Sequence, residues 1–219
     1  MADKDESTRE SMIEALRESE QMTPKQIKIL EAAIELIAEK GYAATSTSEI
    51  AKRAGVAEGT IFRHYRTKKD LLISIVKPVI SQFLAPLFAE KFVDDVFRKS
   101  HASFEDFLYL FMKNRFAFAQ ANLPLLKIVI QELAFHPEIK KAYQNTFIEK
   151  VYPAMNKTLD FYKAEGQLQS LPNDTIIRMI VPTILGFMIT RFLVQPDREW
   201  DDEAEIKRTI TYMLNGVGK

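Results

Sequence analysis

Residues 46–65 leave the chain little choice of conformation. Ser46 and Glu49 stand in the S-x-x-E arrangement of a capping box. There the hydroxyl and the carboxylate each satisfy an orphan backbone donor at the start of a helix. The helix so begun carries Ile50, Ala51 and Ala54, then meets Gly55, whose missing Cβ permits the left-handed backbone of a tight turn. A further short segment, EGTIFRHY, ends before the polar RTKKD. Two short helices joined by A-G-V-A have small residues where they cross, a glycine at the corner and Val56 to fill the angle. A helix-turn-helix requires those features.

At roughly 100° per residue, Ile61 and Tyr65 of the later helix point toward Ile50, Ala51 and Ala54. Gly59, Thr60 and Arg63 point away, with Phe62 and His64 at the flanks. The outward face is small, polar and cationic, as suits a helix lying in a major groove. It equally suits a compact helical corner with a solvated face, and the pattern alone leaves both readings open.

Upstream, Thr23 followed by Pro24 marks an N-cap with proline at the first helical position. Ile27, Leu30, Ile34 and Ile37 then form one apolar stripe on a helix that ends at Lys40-Gly41. Residues 1–22 read as a mobile acidic tail. Charge follows the same division. Residues 1–23 hold three Lys/Arg against seven Asp/Glu, a net of −4, whereas residues 24–70 hold nine against six, a net of +3. The basic excess coincides with the motif in a chain of zero net charge.

Other function classes find little support. The chain has no cysteine, which excludes disulfides, thiolate metal sites and a cysteine nucleophile and suits a reducing compartment. His64, His101 and His136 lie far apart with no metal-ligand spacing, and no phosphate loop or nucleophile elbow occurs. No catalytic residue, metal or cofactor is therefore expected. The opening MADKDESTRESMIE lacks the apolar core of a secretory signal, so a cytoplasmic location is expected. The run from Ile176 to Val194 is the membrane candidate, but only 12 uncharged residues separate Arg178 from Arg191, and Pro182 and Gly186 lie inside it. A spanning helix needs about 20, so a buried or dimer-interface helix is the better reading and no membrane is expected.

The rest of the chain reads as helices. Leu72, Ile75, Val76, Val79 and Phe83 mark a long one with kinks at Pro78 and Pro86. Others are expected over 104–121, 125–135, 137–164 with a break near Pro153, 173–194 with Asn173 as cap, and from Asp201 through Ile206, Ile210 and Met213. Phe104, Phe107, Leu108, Phe111, Met112 and Phe118 are more large side chains than one helix face needs for packing. They fit an apolar ligand pocket, with Asn114, Arg115, Gln131 and His136 as polar anchors, or an ordinary core.

The stretch GYAATSTSEIAKRAGVAEGTIFRHYRTKKDLL resembles the DNA-binding signature of the tetracycline-repressor (TetR) family. The match runs through Gly41-Tyr42, Thr45, Ser46, Ile50-Ala51, Ala54-Gly55-Val56, Gly59-Thr60-Ile61-Phe62, His64-Tyr65, Lys68 and Leu71. The resemblance implies phosphate contacts at Ser46 and Thr47 and a base or phosphate contact at Ser48. It implies a reading face of Ala57, Glu58, Gly59, Thr60 and Arg63, with His64 and Lys68 near the DNA backbone. Two departures stand out. Phe62 replaces the family's usual tyrosine and loses its hydroxyl, and Glu58 replaces Ser, Lys or Pro. A carboxylate near phosphate is unfavourable unless it accepts from a cytosine amino group, so a cytosine is expected under Glu58, or else no direct contact. Arg63 is the expected guanine reader.

The resemblance further implies an all-α protein: a three-helix N-terminal helix-turn-helix domain (23–70) and a larger helical ligand-binding and dimerisation domain (71–219). Phe83, Phe107, Phe111, Asn114, Arg115 and Gln131 are the expected ligand contacts. The helix over 176–194 and the last helix are expected to pair with a symmetry mate through Thr183, Gly186, Thr190, Ile206, Ile210 and Met213. The function it implies is a homodimeric transcription repressor on double-stranded, palindromic operator DNA, with half-site centres about 34 Å apart or somewhat more. A small apolar effector would release it. The same protein could activate, depending on where its operator lies. The departures at Phe62 and Glu58 keep an alternative open, an apolar-ligand-binding helical protein with impaired DNA binding.

Overall fold

The computed structural model describes residues 22–84 and 103–217, with the side chains of 82–84 and 216–217 outside that description. All but the last residue of the expected tail, Pro86 and the Phe83 side chain therefore lie outside the described residues. Those described are helical with no strand among them, an all-α chain as expected.

Ten α-helices are present among the described residues: α1 (Pro24–Lys40), α2 (Thr47–Ala54), α3 (Glu58–His64), α4 (Lys68–Leu84), α5 (Phe104–Ala121), α6 (Leu123–Glu132), α7 (Pro137–Thr146), α8 (Tyr152–Ala164), α9 (Asn173–Ile189) and α10 (Asp202–Val217). Two π-helical turns, Phe147–Val151 and Thr190–Val194, precede α8 and extend α9. The first marks the break expected near Pro153. Proline lacks an N–H and clashes with the carbonyl four residues back, which here belongs to Glu149, inside the widened turn.

The described residues form two compact units, one of 22–83 with 121–145, the other of 84 and 103–120 with 146–217. The first is built on α1, whose Ile29, Leu30, Ala33, Ile34 and Ile37 are buried. It packs against α2, α3 and α6. Residues 121–145 thus share a core with the N-terminal helices although they lie far downstream.

In the second unit, α5 supplies Phe104, Leu108, Phe111, Met112 and Phe116 to the core. The Phe104 ring meets the buried Tyr162 of α8 edge-on at 5.1 Å, and Phe116 packs on Phe192 at 4.9 Å. Helix α9 joins this core through Ile176, Ile177, Ile180, Ile184 and Met188. By length and composition, Asn173–Val194 could cross a membrane, but here that row of side chains is spent on the protein's own interior.

Two local expectations are corrected. Asn173 does not cap α9. It is the helix's first residue, Pro172 holds the cap position, and its side chain instead accepts from Lys163 Nζ at 2.5 Å and donates to Asp160 at 2.8 Å. Ile206, Ile210 and Met213, expected at the dimer interface, are 3%, 2% and 4% exposed within a single protomer. The apolar face of α10 is taken up by its own unit, where it packs on α9, so a partner would meet other residues.

Candidate nucleic-acid interface

The geometry of the head follows from its caps. Ser46 Oγ accepts from the Glu49 backbone N–H at 3.2 Å while the Ser46 N–H donates to Glu49 Oε2 at 2.9 Å, closing the capping box. Lys40 Nζ lies 2.5 Å from the other Glu49 oxygen. Chiefly that ammonium, with the Ser46 donors, pulls the carboxyl from the ordinary range near 4.5 down to about 2. Buried Thr45 donates to the Gly41 carbonyl at 2.9 Å, fastening the loop between α1 and α2. Gly55 ends α2 with φ +66°, the left-handed conformation anticipated for the corner.

Ile61 and Tyr65 are buried with Ile50, Ala51 and Ala54, so α3 is docked by the face the helical wheel assigned. Outward stand Ala57, Glu58, Gly59 and Arg63, all exposed, with Thr60 and His64 half-buried. Phe62 is 47% exposed, a large ring on the outer surface. A Cβ added at Gly59 would meet nothing within 4 Å, so no contact within the chain requires glycine there. On α2, Ser48 is exposed and Thr47 half-buried. Ser46, expected on phosphate, has its hydroxyl in the capping box, where it also donates to Glu49 Oε2 at 2.8 Å. Thr47 Oγ1 donates to Glu58 Oε1 at 2.6 Å, tying α2 to α3 across this face.

Lys68, expected near the DNA backbone, has its ammonium 4.2 Å from the centre of the Tyr42 ring. It belongs to a cluster that sequence reasoning did not assemble. His136 meets Tyr42 edge-on at 5.1 Å and pairs with Glu132 at 3.1 Å, while Lys69 pairs with Glu138 at 2.7 Å. Burial lowers the pKa of Lys68 and, with the Glu132 charge, raises that of Tyr42. The i, i+4 spacing of Glu132 and His136 could have signalled their pairing. Nothing local could have placed Tyr42 beside them.

The expected ligand contacts are divided between the two units. Gln131 is exposed on α6 and His136 packs on Tyr42, both in the first unit, whereas Phe107, Phe111, Asn114 and Arg115 lie on α5 in the second. Phe107 stacks between Phe104 and Phe111 at 6.0 and 6.3 Å. Arg115 is buried, donates to Asn114 Oδ1 at 2.6 Å and lies 5.0 Å from the Phe118 ring. Burial draws its pKa down to about 10, which leaves it cationic at neutral pH. A surface groove of about 310 Å³ lies elsewhere in this unit, lined by Phe147, Tyr152, Asp174, Ile177, Arg178, Val181 and Pro182. It contains none of the expected ligand contacts.

Two short helices, the first closed by a capping box, meeting at a left-handed glycine with a polar face turned outward from a buried one, define a DNA-binding regulator of the helix-turn-helix class. Residues 29–75 match the profile of the bacterial regulatory proteins, tetR family. The chain is 36% identical over 201 residues to the fatty acid metabolism regulator protein of Bacillus subtilis (strain 168), covering 90% of this chain and 97% of that protein. The chain belongs to the tetR family and is a transcriptional regulator. Among solved structures it is similar to the transcriptional regulator FadR from Bacillus subtilis in complex with stearoyl-CoA (TM-score 0.65, 27% identity, 87% of this chain and 98% of that one). It is also similar to the fatty acid degradation regulator FadR from Bacillus halodurans (TM-score 0.66, 25% identity, 89% and 97%).

Proposed function

We propose that the chain is a homodimeric repressor that holds a palindromic operator through α2 and α3 and releases it when a long-chain acyl compound enters its second unit. The observation that carries the reading is the outward face of α3, where Gly59 and Arg63 are exposed beside the half-buried Thr60, on a helix that Ile61 and Tyr65 anchor. Arg63 is assigned to a guanine, Ser48, His64 and Lys68 to the DNA backbone, and residues 23–70 to the reading head.

The effector class is supported by the fatty-acid regulator that this chain resembles along most of its length and by the stearoyl-CoA held in a similar structure. The aromatic interior of the second unit supplies the apolar surroundings an acyl chain needs. Phe107 and Phe111 would line the chain's path, and Arg115, held by Asn114, would face its polar end. Helix α9 offers a partner subunit its outer row of Met179, Thr183, Gly186 and Ile189, which the protomer's own core does not use. Ligand would act by favouring the dimer state whose two heads are mis-spaced for the operator.

The test is selection of an operator from random duplexes, followed by affinity measurements at two salt concentrations with and without an acyl-CoA. Tight, salt-sensitive binding that falls at least tenfold with Arg63→Ala and weakens with acyl-CoA is expected. Gly59→Ala sharpens it. The added methyl has room in the free protein and should leave stability unchanged or raise it by up to about 1 kcal/mol, yet weaken operator binding by crowding the groove. A protein that selects no sequence while still taking up acyl-CoA would be a ligand-binding protein with a silent head.

A further inference from the structure

Thr47 and Glu58 are the first residues of α2 and α3, and the hydrogen bond between their side chains crosses the outward face of the head. A threonine hydroxyl has one proton to donate. While Glu58 holds it, Thr47 has only lone pairs to present, and a phosphate oxygen, itself an acceptor, gains nothing from them. The carboxylate meanwhile adds a negative charge where DNA phosphates would approach. Glu58 keeps a second carboxylate oxygen able to accept, so what the bond withholds is the Thr47 proton. The Thr47 hydroxyl cannot donate to a phosphate until the bond opens.

We propose that the Thr47–Glu58 bond is a base-gated latch, which makes close phosphate contact at α2 conditional on the base beneath α3. The proposal rests on the DNA-binding reading above. Where the groove presents a cytosine N4 amino group, Glu58 turns to accept from it. The same movement returns the Thr47 proton, which then goes to a phosphate. Over a thymine, whose O4 is an acceptor, the carboxylate gains nothing by turning, the latch stays shut and its charge repels the backbone. Both side chains are at the surface, where such a bond is weak, so a single base contact suffices to open it. Glu58 thereby lowers affinity for non-operator DNA, and specificity is gained through a repulsive element as well as an attractive one.

The latch is tested with the full-length wild type, Glu58→Ala, Thr47→Val and the double variant. Each is titrated at one salt concentration with the selected operator, with the same duplex carrying thymine for the cytosine under Glu58, and with a random duplex. Melting curves establish that all four proteins fold. Glu58→Ala is expected to tighten binding to the random duplex roughly five- to tenfold, the scale of one charge repulsion at a hydrated surface, and to erase the preference for cytosine. Thr47→Val should weaken operator binding in the wild type, leave the random duplex untouched there, and weaken the random duplex once Glu58 is gone. If Thr47→Val costs the same on random DNA in both backgrounds, the hydroxyl is never sequestered and the latch is refuted. An unchanged random-duplex affinity in Glu58→Ala refutes it as well. A wild type that selects no sequence at all overturns the DNA-binding reading itself, a result separate from these two.

Discussion

In the unit that carries the reading head, helix ends are specified by side chains three residues from the backbone groups they satisfy, as with Thr23 and Gln26 on α1 and Ser46 and Glu49 on α2. The second unit caps helices in the same way, Ser103 with Asp106 and Asp201 with the Ala204 N–H, but its core joins rings far apart in the chain, Phe104 on Tyr162 and Phe116 on Phe192. The outward face of the head is set by short-range chemistry, while the core of the other unit is assembled from distant segments. The contrast suits a division of labour in which the head keeps one shape and the interior adapts to a ligand.

Four experiments would break or sharpen that contrast. The largest effect is expected for Phe104→Ala, which removes a buried ring from the aromatic stack. It should cost about 3–5 kcal/mol in chemical denaturation, far more than any cap in the head. A loss below about 1 kcal/mol would mean that this interior is loosely packed. Next is Gly55→Ala. Nothing stands within 4 Å of the added Cβ, so the expected loss of about 1–2 kcal/mol is the cost of left-handed backbone alone, and the thermal midpoint should fall accordingly.

Ser46→Ala should cost about 1 kcal/mol by leaving a backbone donor of α2 without its cap, read most directly as faster amide exchange at Glu49. The smallest effect is a pH dependence. The Glu49 carboxyl is held at about 2 in the folded state against 4.5 ordinarily. Its contribution to stability is therefore complete above about pH 4.5 and lost as pH falls toward 2. The stability difference between wild type and Glu49→Gln should shrink across that window and stay level above it. A difference that persists unchanged down to pH 2 would assign the role of Glu49 to shape rather than charge.

The head was legible because its determinants are local. The capping box at Ser46, the left-handed Gly55 and the inward-turned face of Ile61 and Tyr65 could be read from spacing, and the structure holds each of them. What went astray depends on partners that spacing does not reveal. Asn173 has the right residue type for a cap, but Lys163 and Asp160 claim its side chain. Ile206, Ile210 and Met213 form an apolar stripe that would suit a partner subunit as well as it suits α9, and only packing decides between them.

The sequence by itself determined the helical class, the capped start of α2 with its glycine corner, and the family signature, since these rest on periodicity, backbone preference and residue identity within a few turns. Only the tertiary structure decided that 121–145 share a core with the N-terminal helices, that His136 packs on Tyr42, and that Thr47 holds Glu58. The reason is physical. Hydrophobic burial is non-directional and tells a side chain to be inside without saying against what, and hydrogen bonds between residues distant in the chain exist only once folding has brought them within reach.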